Sequence, residues 1–296
     1  MKIAFVGFGE AARAFTQSLR EEGGLAFCAY DILLGSNAPK EASLREAASS
    51  LGVALCSNVE EAVADADWVV AAVTAADSLD AAKSVAGLLK AGQVYIDINS
   101  VSAGRKIESA KLVEEGGATY VDMAVMAPVF PRLHKTPVLL AGPACNSLAA
   151  SFAKLNFDFK IAGDEIGAAT SIKMLRSMFV KGLEAITVQT LLAARAAGRF
   201  DEIYASLSAS FPQLGWPDFP LYQLERVTQH GVRRAAEMVE SAATQAELGL
   251  AAGQQLGLAI ASVQDVIGQL GVRVDENKGD LASALDDVLG SLKTRL

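Results

Sequence analysis

The apolar run Lys2-Ile3-Ala4-Phe5-Val6 leads straight into Gly7-Phe8-Gly9-Glu10-Ala11-Ala12, and this junction limits the fold more than any other feature of the chain. A short run containing β-branched and aromatic residues reads as a strand, the glycines as a tight turn, and Glu10 onward as a helix. At this spacing the segment matches G-x-G-x-x-[G/A]. The first glycine makes the turn, the second lets backbone approach a pyrophosphate, and the small third residue lets the helix pack on the strand. Free N–H groups of the first helical turn would then face the phosphate. Gly7, Phe8, Gly9, Glu10, Ala11 and Ala12 are therefore the candidate cofactor loop.

Asp31 weighs against the plainer reading of an ordinary glycine turn. It closes the second apolar run, 24 residues after Gly7, close to where an acidic side chain takes the adenosine ribose hydroxyls. Its carboxylate would repel a 2′-phosphate, and no lysine or arginine follows until Lys40, so NAD is expected over NADP. The plainer role for Asp31 is to cap the turn after it. Ligands of such folds lie outside the carboxyl ends of the strands, which adds Val73, Thr74, Asn99 and Ser100 as candidates. Asn99-Ser100 alone would more often be a turn or a helix cap.

Short apolar runs alternate with helical periodicity as far as Ala162, the pattern of a parallel sheet covered on both faces. Strands are expected at Lys2 to Val6, Leu25 to Tyr30, Val53 to Cys56, Trp68 to Val73, Val94 to Ile98, Thr119 to Asp122, Pro137 to Ala141 and, more weakly, Phe157 to Ile161. Ile166 to Ala197 then reads as one long apolar helix, with Gly182 its interior breaker, and helices at Glu202 to Ala209, Leu221 to Leu248, Leu258 to Leu270 and Asp280 to Lys293 follow. The expected organisation is an α/β fold: a Rossmann-like doubly wound sheet in residues 1–163, then an all-helical domain in residues 164–296. A helix this apolar is usually buried on several sides, so it is expected to form a spine between domains or subunits, and a homodimer is expected.

The glycine turn, Asp97-Ile98-Asn99-Ser100, and Gly163-Asp164-Glu165-Ile166-Gly167-Ala168-Ala169-Thr170-Ser171-Ile172-Lys173-Met174 together resemble the β-hydroxyacid dehydrogenase family, which includes 3-hydroxyisobutyrate and 6-phosphogluconate dehydrogenases. The likeness covers nearly the whole domain order. It implies that Lys173 is the catalytic acid/base and that the protein transfers hydride between a 3-hydroxy carboxylate, or the matching 3-oxo compound, and NAD. Alcohol oxidation needs a base for the hydroxyl proton while hydride leaves carbon for the nicotinamide. A lysine does this once burial or a neighbouring cation lowers its pKa, and Arg176 and Ser177 follow at i+3 and i+4 on the same helix. An isolated lysine in such a position would be read as a solvated one.

The chain also departs from the family pattern. Ser177 stands where an asparagine commonly helps hold the substrate carboxylate. Asp122-Met123-Ala124-Val125-Met126-Ala127-Pro128 replaces the D-x-P-V-S-G-G run. Met126, Ala127 and Pro128 imply a more apolar and rigid wall, and so a bulkier or less polar substrate than hydroxyisobutyrate. Lys181, His230 and Arg233, with Arg234 and Glu237 beside them, are candidates for replacement polar contacts, although exposed helix faces or intersubunit ion pairs explain them equally well. A 6-phosphogluconate-like sugar-acid dehydrogenase would need a stronger basic cluster. Imine reductases share the architecture but generally lack the lysine. A non-catalytic NAD-binding regulatory protein would keep the fold without the pocket.

A net charge of −8 argues against nucleic acid as a main partner. Three cysteines, Cys28, Cys56 and Cys145, show neither disulfide nor metal-ligand spacing and are expected to be reduced and buried, with no metal. The glycine turn comes too early for a signal peptide, and charges break every apolar stretch before the roughly 20 residues of a membrane helix. A cytoplasmic protein that does not enter the membrane is expected.

Overall fold

The computed structural model describes residues 1–35, 38–274 and 280–294. They form two compact units, Met1–Met174 and Leu175–Leu296. The first holds one sheet of eight strands: β1 (Lys2–Val6), β2 (Ala26–Tyr30), β3 (Ala54–Leu55), β4 (Trp68–Ala71), β5 (Val94–Asp97), β6 (Thr119–Val125), β7 (Val138–Ala141) and β8 (Phe159–Gly163). Their order is β3-β2-β1-β4-β5-β6-β7-β8. The chain reverses its direction of travel across the sheet between β1 and β4, so the carboxyl ends of these two strands open the crevice where dinucleotides bind in such folds.

Alternation along each strand builds two cores. Ile3 and Phe5 of β1, Val70 of β4 and Ile96 of β5 pack on α1 (Glu10–Leu19), α2 (Ala38–Leu51) and α6 (Cys145–Lys154) through Phe15, Leu44 and Phe152. Ala4 and Val6, Val69 and Ala71, Tyr95 and Tyr120 point the other way. They meet α3 (Val59–Val63), α4 (Ser78–Ala86) and α5 (Ala103–Glu115) through Val63, Val85 and Val113. Strands buried on both faces leave little polar alternation to read, which is why they show in the sequence as plain apolar runs.

One expectation is corrected. The sheet is not wholly parallel, because β7 runs antiparallel to β6, pairing Asp122 with Ala141 and Val125 with Val138. A parallel return usually needs a crossover helix. The connection here carries Pro128, Pro131 and Pro137 and forms only a short 3-10 turn at Leu133–Lys135, so the chain comes back beside β6 in the opposite sense. β8 then pairs parallel to β7 after α6. Cys28 and Cys145 are buried thiols, whereas Cys56 is only half-buried, at the end of the two-residue edge strand β3.

The second unit is helical. α7 (Ala168–Ala196) begins in the first unit and continues into the second, followed by α8 (Phe200–Ser210), α9 (Asp218–Glu247), α10 (Ala251–Gly268) and α11 (Leu281–Lys293). Its core gathers Leu191 and Leu192, Leu224 and Val227, Ile267, Leu285 and Val288. α10 starts well before the expected Leu258, and the reason lies in glycines that read as breakers. A Cβ on Gly257 would lie 2.9 Å from that of Ala242, and one on Gly231 would lie 2.8 Å from Gly268 Cα. These residues are bare because α9 and α10 touch backbone to backbone.

Candidate functional site

Gly7 sits at φ +87, and a Cβ there would come within 2.5 Å of Ala72 O and 2.7 Å of Val73 Cγ1. The turn therefore presses against the end of β4 with no room for a side chain. Gly9, the N-cap of α1, differs, since a Cβ on it would meet nothing within 4 Å and no side chain caps the helix. Open space in front of uncapped N–H groups is what an anion requires. Ala12 is fully buried against the sheet, as the motif demands. Phe8 is buried too, while Glu10 is exposed at the first turn.

Asp31 is nearly buried and accepts two backbone hydrogen bonds, from Phe8 N–H at 2.8 Å and from Leu33 N–H at 2.9 Å. It holds the glycine turn on one side and caps its own turn on the other. Asn99 accepts from Val73 N–H at 2.8 Å, which ties the ends of β4 and β5, while its buried Nδ2 has no partner among the described residues. A buried amide donor facing nothing is a group awaiting an acceptor. Thr74 is exposed and donates to Asp77 at 2.5 Å. The glycine cradle, the open helix end and the orphaned amide all lie at carboxyl ends of β1, β4 and β5, and together they fit a dinucleotide.

Lys173 Nζ donates to Ser100 Oγ at 2.5 Å. Sequence separates these residues widely, and two local features join them. Ser100 follows the end of β5, and Gly167, at φ +98, brings the start of α7 so close that a Cβ on it would lie 3.0 Å from that of Ala103. Thr170 N–H then donates to Asp122 Oδ2 at 3.0 Å, and its hydroxyl to Val101 O at 2.6 Å. The Asp122 anchor is a buried carboxyl, and burial pushes its pKa above the usual carboxylate range against the pull of Lys106. Met126 packs with the small apolar cluster that contains Ala169 of α7, whereas Ala127 and Pro128 are exposed.

The remaining candidates lie in the helical unit. Arg176 is exposed, and Ser177 is buried and accepts from Lys181 Nζ at 3.2 Å. Lys181 also pairs with Glu237 at 2.6 Å, and burial pulls its pKa down despite that partner. Arg234 Nε donates to buried Glu184 at 2.9 Å, which also accepts from Gln264. His230 is half-buried and Arg233 exposed. Lys181 and Arg234 thus already serve ion pairs inside their own unit. Among the described residues no three His, Cys, Asp or Glu side chains could hold a metal ion, and no helix is long and apolar enough to cross a membrane.

Lys106 escaped the sequence reading, and it is wholly buried. The signal was present: Lys106, Ser109, Ala110 and Val113 recur at helical spacing on the inward face of α5.

The strand order about β1 and the turn at its carboxyl end define a Rossmann-type α/β unit of the dinucleotide-binding class, here followed by a helical unit. Residues 2–101 match the family described as NADP oxidoreductase coenzyme F420-dependent, and residues 194–267 match a domain of unknown function, DUF1932. The chain is similar over its whole length to a conserved hypothetical protein from Sinorhizobium meliloti, with 32% identity, a TM-score of 0.74 and 97% of that chain covered. A 3-hydroxyisobutyrate dehydrogenase from Mycobacterium tuberculosis shares the fold, with 18% identity, a TM-score of 0.72, and coverage of 96% of this chain and 98% of that one. A 2-(hydroxymethyl)glutarate dehydrogenase from Eubacterium barkeri is 24% identical over 61% of this chain and 59% of its own length. The chain thus has the fold of 3-hydroxyisobutyrate dehydrogenases, and its residues 2–101 match an NADP oxidoreductase family.

Proposed function

We propose that this protein is a dehydrogenase that moves hydride between a 3-hydroxy carboxylate, or the matching 3-oxo compound, and NAD, with Lys173 as general acid/base. The observation that carries this reading is the 2.5 Å hydrogen bond between Lys173 Nζ and Ser100 Oγ, just beyond the end of β5. Bound nicotinamide supplies the hydride acceptor or donor. Neutral Lys173 takes the hydroxyl proton during oxidation, and its ammonium returns a proton to the oxyanion during reduction. Ser100 holds the amine in place and offers a hydroxyl to the substrate oxygen. Met126, beside the first turn of α7, supports a substrate bulkier than hydroxyisobutyrate.

Residues 1–163 are assigned to the dinucleotide and residues 164–296 to substrate and dimerisation. The Asp31 carboxylate at the end of β2 supports NAD, since a like charge disfavours a 2′-phosphate. The test is reduced-nicotinamide formation across small, sugar-derived and aromatic 3-hydroxy acids, with NAD and NADP side by side. Turnover of a bulky member with kcat/KM roughly tenfold or more higher for NAD is expected. Comparable rates with both cofactors would remove the inference from Asp31, and silence across the panel would end the catalytic assignment.

A second copy of the chain is the proposed partner of α7. Leu175, Phe179 and Ile186 share one side of the helix and are 43%, 74% and 65% exposed, more apolar surface than a lone helix face ordinarily leaves to water. Sedimentation equilibrium is expected to give twice the chain mass, and Phe179→Glu to shift it toward a monomer. A wild-type monomer would refute this assembly. The free thiols at Cys28, Cys56 and Cys145 support a reducing, cytoplasmic setting.

A further inference from the structure

Beneath the Ser100–Lys173 pair lies a polar cluster that the chemistry above does not use. Lys106 Nζ donates to Asp97 O at 2.6 Å and lies 2.9 Å from Asp97 Oδ1 and 3.5 Å from Asp122 Oδ1. All three side chains are fully buried. Asp97 also accepts from Asn99 N–H at 2.8 Å and from the Tyr120 hydroxyl at 2.7 Å. Asp122 accepts from Thr170 N–H in the first turn of α7. One ammonium therefore bridges two carboxylates, one of which holds the Asn99–Ser100 turn and the other the helix start that carries Lys173. A buried charge survives only with such partners, and an apolar side chain would fill the same space without them, so packing alone does not account for a lysine here.

We propose that Lys106 is the positioning residue that sets the spacing between Ser100 and Lys173, linking their two segments through Asp97 and Asp122. The inference rests on the assignment of Lys173 as the acid/base. It differs from that assignment in the measurement that decides it. Lys106 is wholly buried, and its effect is read on Lys173.

The variants are Lys106→Met and, because a lone buried carboxylate pair can block folding, Lys106→Met/Asp122→Asn, which removes a positive and a negative charge together. The primary readout is competitive acetylation of the full chain as a function of pH, followed by peptide mass spectrometry, with the exposed Lys154 and Lys160 as internal references. The midpoint of the Lys173 reactivity profile is expected to move by about one pH unit or more while the references stay fixed. On the best hydroxy acid of the panel, kcat is expected to fall roughly tenfold with KM within about twofold. An unchanged Lys173 profile in a folded but less heat-stable variant would overturn the proposal and leave Lys106 a stabilising residue only. Failure of the wild-type protein to turn over any hydroxy acid would refute the function proposed above, yet the labelling result would still decide the role of Lys106.

Discussion

With Lys173 as the proposed acid/base, Lys173→Ala is expected to lower kcat by roughly 10²- to 10⁴-fold, while NADH affinity measured by fluorescence titration stays within about threefold, since the proposed dinucleotide contacts lie on other elements. The residual rate loses the pH dependence that the amine imposes. The first turns of α7 tolerate the change, because Lys173 is only half-buried and alanine is the best helix former. Ser100→Ala is the matching control: it keeps the proposed base but removes its 2.5 Å hydrogen bond to Ser100, and a smaller loss is expected. If the alanine variant at 173 retained full kcat, proton transfer would have to be assigned elsewhere.

Gly7→Ala gives the second large effect, and it comes from geometry alone. A methyl group at this position would enter the space of Ala72 O and Val73 Cγ1, at a φ that alanine disfavours. The turn must move, and with it the N–H groups at the start of α1. Dinucleotide affinity is expected to fall about 100-fold, the scale of a misplacement near 1 Å, with a stability loss of about 1–3 kcal/mol in thermal denaturation. Gly9→Ala separates the two causes. Its methyl would meet open space in the free protein, so stability should hold while dinucleotide affinity falls, because the pyrophosphate would occupy that space. Equal thermal stability of Gly7→Ala and the wild type would show that the turn adjusts without cost.

The sequence made the sheet legible because its strands are short, apolar and bounded by turns, and all eight expected runs became strands. The antiparallel β7 was not legible. Strand direction leaves no mark on a four-residue apolar run, and only the prolines of the preceding connection hinted at it. The early start of α10 was hidden for a related reason: Gly253 and Gly257 look like breakers until a neighbouring helix lies against them. At the site, Lys173 and Ser100 were each visible through the family resemblance, but their contact was not, since it depends on how Gly167 and Thr170 dock the start of α7. Lys106 was passed over because a charged residue in an amphipathic helix is ordinarily taken as solvated, although its spacing with Ala110 and Val113 placed it on the inner face. The candidates Lys181 and Arg234 fell on a helical pattern that cannot tell a ligand contact from an internal ion pair, and the structure places both in such pairs.

The double grip of Asp31 on Phe8 and Leu33 bears on affinity in a way its charge does not. A glycine-rich turn loses more conformational freedom on ordering than most segments, and a turn left loose in the free protein would charge that loss against every binding event. Because the carboxylate anchors the middle of the turn from within the folded chain, the loss falls on folding, and the dinucleotide meets a receptor that is already shaped.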